Sequence, residues 1–116
     1  MVKPVSRPIS HHSSNALQLL GQLVREARIK KSMTTSDLAL RAGISRALLQ
    51  RLERGDPSCS IGAVFEVATI CGVPLFEQDP RQLASQLGLH REKMTLLPKA
   101  VRTIAKEVKD DFRDRF

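Results

Sequence analysis

With 116 residues, the chain has room for one compact domain of ordinary size and a tail or short appendage beside it, not for two domains. Its 41% apolar content comes with four Phe and neither Trp nor Tyr, which predicts an aliphatic core and gives no sign of an aromatic platform for single-stranded nucleic acid. A formal charge of +7 points to an anionic partner, nucleic acid or a membrane surface, without choosing between them.

Residues 1–14 hold Pro4, Pro8 and four serines and show no hydrophobic periodicity, so they are expected to form a flexible arm. His11 and His12 lie in this stretch with no third or fourth ligand in view and read as linker, not as a metal site. Leu17, Leu20, Val24 and Ala27 then recur at helical spacing, and Arg25, Arg28, Lys30 and Lys31 crowd the last turn, where cations suit the helix dipole. This predicts a first helix over about 15–31.

Thr34 with Asp37 three residues on is a pattern for a reciprocal cap, and predicts a second helix over 35–42 that stops at Gly43. Ser45 is placed to cap a third helix, with Leu49 and Leu52 on its buried side, until Gly55-Asp56-Pro57 breaks the chain. A fourth helix is expected from Ser58 or Ser60 to Cys71, because Ile61, Val64, Ala68 and Cys71 repeat the three-four spacing and Gly72 follows as a stop. Residues 73–76 read as a short turn of helix. Asp79-Pro80 starts another helix through Leu83 and Leu87, which Gly88 ends or interrupts.

Beyond Pro98, Val101, Ile104, Ala105, Val108, Phe112 and Phe116 fall on one stripe, predicting an amphipathic C-terminal helix. No segment alternates as a strand would, so the class is all-α. The expected organisation is an arm over 1–14, a helical domain over 15–79 and a helical extension over 80–116.

No apolar run approaches the roughly 18 residues needed to cross a bilayer, and the opening residues lack the charged, apolar and small succession of a secretion signal. A cytoplasmic location is therefore expected. Cys59 and Cys71 make neither a disulfide framework nor a ligand pattern, so reduced thiols, no metal and no cofactor are expected. Ser45 and Ser60 have no partnered His in view, and the carboxylates fall mostly on polar helical faces, so the chain does not read as an enzyme.

The informative stretch is 35–54, TSDLALRAGISRALLQRLER. Ala39 lets two helices approach closely, Gly43 makes the turn, Ile44 plugs beneath it, and Leu49 with Leu52 anchors the second helix of a helix-turn-helix. Arg46, Ala47, Gln50 and Arg51 are left on the outward face. Arg pairs with guanine and Gln with adenine in the major groove, and a small apolar side chain meets the thymine methyl. Ser45, Arg54 and Ser58 flank this row as phosphate contacts, which position a protein on DNA without reading sequence. Residues 1–58 carry ten basic and four acidic side chains against nine and eight in 59–116, so the positive charge lies with the motif.

From Leu20 to about Asp79 the chain resembles the xenobiotic-response-element helix-turn-helix family, which includes phage repressors and Cro. The matching blocks are LGQLVREAR, MTTSDLALRAGISRALLQRLERG and a capped helix ending in CGVPL. The resemblance implies a five-helix, lambda-repressor-like domain followed by an extra helix or tail. It further implies that residues 46–54 enter the major groove of double-stranded DNA and that the protein works as a homodimeric transcriptional repressor. Thr35 departs from the Gln common at the start of the second helix in that family, which shortens any contact made there. Arg28 and Glu53 match a pair that forms a salt bridge between the first and recognition helices in many members.

A narrower resemblance, on SRALLQRLERG followed by DPSCSIG and a tail of LPKAVR ending in DDF, is to the DNA-binding antitoxins that accompany HipA-type kinase toxins. It implies a repressor of its own operon that also holds a kinase-like toxin. Val101, Ile104, Val108, Phe112 and Phe116 would then dock a second subunit or that toxin, the alternative being that they fold back on their own domain. Acids share this segment with the basic residues opposite the apolar stripe, so no membrane partner is implied.

Overall fold

The computed structural model describes residues 8–99, and among these it is all-α, with five helices and no strand. The expected C-terminal helix, with Val101, Ile104, Val108, Phe112 and Phe116, lies outside the described residues. A first compact unit closes at Leu75 and a second opens at Phe76. The first unit contains α1 (His11–Lys30), α2 (Thr35–Ala42), α3 (Arg46–Glu53) and α4 (Ile61–Cys71), and the second contains α5 (Pro80–Thr95).

Local chemistry sets most of these boundaries. Thr34 Oγ1 accepts from the Asp37 N–H while Asp37 Oδ2 accepts from the Thr34 N–H, both at 3.0 Å, so two N–H groups left over at the start of α2 are satisfied at once. Hydrogen bonding from Thr34, by its backbone N–H first and its hydroxyl second, holds the Asp37 carboxyl below its ordinary range. At the other end of α2, Gly43 takes φ 67°, a left-handed conformation that a side chain would strain. Ser60 caps α4 and Gly72 ends it in the same left-handed form.

Three expectations change. The arm expected over 1–14 is helical from His11, because Ser10 caps α1 through its hydroxyl oxygen, which accepts from the Ser13 N–H. His11 and His12 are thus exposed side chains of the first helical turn. Residues 73–76 are not helical: the Val73 N–H returns to the Ala68 carbonyl at 2.9 Å as α4 closes, and Pro74 removes the next donor. Gly88 neither ends nor interrupts its helix, which continues to Thr95; only Gly43, Gly55 and Gly72 among the described glycines have positive φ. A glycine stops a helix when its backbone turns left-handed, and inside a regular helix it is merely unfavourable by about 0.5–1 kcal/mol relative to Ala.

In the first unit, α2 packs on α3 and α4, and α1 on α3 and α4. The core is aliphatic: Val24, Leu38, Leu49 and Val67 are fully buried, with Met33, Ala39, Leu52 and Cys71 beside them and Ile44 packed against them from the turn. Removing each of these larger side chains from water contributes about 1.5–3 kcal/mol. Burial also pushes the Cys71 thiol above its ordinary pKa, so it behaves as one more small apolar group.

Candidate nucleic-acid interface

The α2–α3 turn aims the next helix. The Gly43 N–H donates to the Leu40 carbonyl at 3.2 Å and the Ile44 N–H to Ala39 at 3.0 Å, closing the left-handed turn within two residues. Ser45 then caps α3, its hydroxyl oxygen accepting from the Leu48 N–H at 3.0 Å. That bond uses the oxygen as acceptor and leaves the hydroxyl hydrogen as a donor.

With about 100° between successive residues of an α-helix, Arg46, Ala47, Gln50, Arg51 and Arg54 fall within one arc of about 140°. All five are exposed, whereas Leu49 and Leu52 on the opposite arc are buried, and Leu48 and Glu53 are half-buried. No acid lies on the outward arc. Three guanidiniums and one carboxamide therefore share a convex surface with a methyl-sized gap at Ala47. Arg41, exposed in the last turn of α2, adds another positive charge to the motif. Thr35, the first residue of α2, is half-buried, and its short side chain follows the Thr34 cap.

The orientation of α3 is held from behind. Arg28 Nε donates to Glu53 Oε1 at 2.8 Å, and Arg28 Nη1 donates to the Met33 carbonyl at 3.0 Å. The two charged side chains are 12% and 8% exposed, so this pair is shielded from water, unlike the surface pair of Glu26 and Lys30. One guanidinium thus ties α1, the turn after it and the end of α3 together. Such a pair fixes geometry more surely than it adds net stability, because removing both charges from water offsets their attraction.

Sequence patterning passed over two features. At Gly21 a Cβ would stand 2.4 Å from the Glu53 carbonyl oxygen and 2.7 Å from that of Leu52, so α1 crosses the end of α3 where only a glycine fits. Nothing in the spacing of α1 signals this contact, because its partner is distant in sequence. The second feature is Asp56, which reads in sequence as part of a chain break. Its Oδ1 accepts from both the N–H and the hydroxyl of Ser58, at 2.8 and 2.7 Å. Asp followed by Pro and Ser is a usual side-chain-to-backbone turn, and that signal was present. Ser58 is exposed, yet both of its donors are engaged within the loop.

Among the described residues, no three His, Cys, Asp or Glu side chains gather as a metal site, and no helix is long and apolar enough to cross a membrane. A family model described as a helix-turn-helix domain matches residues 19–80. No curated protein and no solved structure matches the chain.

Proposed function

The chain belongs to the helix-turn-helix domain family, and we propose that it is a sequence-specific regulator of transcription, acting in the cytoplasm as a repressor, with α3 in the major groove of double-stranded DNA. One observation carries the reading: the exposed arc of α3 holds Arg46, Gln50 and Arg51 with no acid among them, on a helix whose opposite face is locked into the core. Arg46 and Arg51 are the guanine-reading candidates and Gln50 the adenine-reading one, with Ala47 facing a thymine methyl. Ser45 and Arg54 bracket the row at the two ends of the helix and serve as phosphate contacts.

A single short helix reads few base pairs, so the working form is a homodimer on a two-fold site, its half-sites about one helical turn apart. The resemblance to antitoxins gives the second reading, in which the same DNA-binding unit belongs to a chain that also holds a kinase-like toxin. Among the described residues of the second unit, the exposed apolar side chains of Phe76, Leu83, Leu87, Leu89, Met94, Leu96 and Leu97 favour a protein partner of some kind.

Fluorescence anisotropy with labelled duplex tests the reading. Affinity should fall with salt at a log–log slope of about −0.9 per phosphate neutralised. Arg46→Ala, Gln50→Ala and Arg51→Ala should each weaken binding to a selected site by about 1–3 kcal/mol if they make paired base contacts. Equal losses on selected and random duplex would reassign all three to phosphate. An absence of affinity for any duplex at low salt would remove the proposal.

A further inference from the structure

The loop after α3 carries an acid where a DNA-binding surface would be expected to stay positive. Glu53 turns inward to Arg28, but Asp56, the next acid along the chain, stays at the half-buried edge of the loop. Its backbone N–H donates to the Arg51 carbonyl at 3.0 Å, which fixes it directly beyond the end of α3. Its Oδ1 takes two hydrogen bonds from Ser58, one from N–H and one from O–H. A neighbouring N–H and hydroxyl aimed at one anionic oxygen is also how proteins hold a DNA phosphate. The carboxyl is held below its ordinary pKa, first by the Ser58 hydroxyl, then by the Ser58 N–H, with smaller contributions from the positive charges of Arg51 and Arg54.

Resting on the DNA-binding reading above, we infer that Asp56 is an internal stand-in for a DNA phosphate: in the free protein its carboxylate occupies both donors of Ser58, just beyond the end of α3, and so lowers affinity for all duplex DNA. The backbone phosphate of a bound duplex must displace this carboxylate from Ser58 or approach against its charge. Either route weakens binding without regard to base sequence, because the competition is for phosphate contacts. Asp56 is thus a setting on affinity, separate from the side chains that read bases.

Asp56→Asn and Asp56→Ala separate the two parts of this role. Asn keeps a carbonyl oxygen for both Ser58 donors and removes only the charge. The Asn variant should bind a random-sequence duplex about fivefold more tightly at low salt, the size expected for one close charge in water, and the gain should fade as salt screens it. The gain should be equal on random duplex and on the tightest sequence selected from it. The Ala variant, which also frees both Ser58 donors, should gain more, and adding Ser58→Ala, which removes the hydroxyl but leaves the backbone N–H, should return it part of the way to the level of the Asn variant. Circular dichroism would verify that each variant keeps its helices. If wild type binds duplex and Asp56→Asn binds no better, or shifts the ratio of selected to random affinity, Asp56 acts on the loop's shape alone and the inference fails. If neither protein binds any duplex, the inference and the DNA-binding reading fail together.

Discussion

Helices α4 and α5 start alike and end differently. Each has a side-chain cap, Ser60 for α4 and Asp79 for α5, and each carries apolar residues three or four apart. Yet α4 buries Val67, Ala68 and Cys71 in the core of the first unit, while α5 has no buried residue and leaves Leu83, Leu87, Leu89 and Met94 exposed. Periodicity tells a helix which face is apolar, and the cap tells it where to begin, but neither supplies the surface that covers the face. The stability of an α-helix in water comes mostly from such cover.

The sharpest way to break this contrast is a pair of truncations. Leu49→Ala, at a fully buried position, should destabilise by about 2–5 kcal/mol, whereas Leu87→Ala on α5, at 56% exposed, should change stability by no more than about 0.5 kcal/mol. Chemical denaturation of the full chain measures both; comparable losses would mean that α5 is part of the cooperative core.

A smaller effect, opposite in sign between the regions, is expected at two helical glycines. Gly21→Ala drives a methyl into the Leu52 and Glu53 carbonyls and should destabilise by about 1–3 kcal/mol. Gly88→Ala meets nothing within 4 Å and should stabilise α5 by about 0.5–1 kcal/mol, through better helix propensity. Helicity by circular dichroism should rise for the second and drop at lower denaturant for the first. A stabilising Gly21→Ala would show that α1 and α3 are not in close contact.

The mildest expected effect concerns pH. Asp37 and Asp56 both have folded pKa values below their ordinary ones, so each favours the folded state fully above the ordinary carboxylate range. That contribution is lost as pH falls through the lowered values. Asp37→Asn should therefore flatten part of the decline in stability of the first unit below about pH 4, the ordinary aspartate range. An acid transition unchanged by Asp37→Asn would assign the decline to other carboxylates.

The starts of α2 and α3 are legible in sequence because capping is local: Thr34 with Asp37 and Ser45 with Leu48 each act across three residues, whereas the sequence leaves Ser58 and Ser60 open for α4 and the structure has Ser60, which accepts from Ala63. The outward row of α3 was legible for the same reason, since a fixed helical period separates Arg46, Gln50 and Arg51 from Leu49 and Leu52. The start of α1 was obscured because its first turn lacks apolar residues and follows a proline-containing stretch, although the Ser10 cap was there.

Sequence by itself determined α2 and α3 with their Thr34 and Ser45 caps, the run of α4 to Gly72 and the chemistry of the exposed face, all of which depend on neighbours within about one helical turn. Only the tertiary structure decided that Gly21 must admit the α3 carbonyls and that Arg28 also reaches the Met33 carbonyl beside Glu53. It alone decided that, among the described residues, Val67, Ala68 and Cys71 of α4 are buried while Leu83, Leu87, Leu89 and Met94 of α5 are exposed. The physical reason is common to these cases: hydrogen bonds within a turn follow from the order of residues, whereas close approach and burial depend on what the rest of the chain brings alongside.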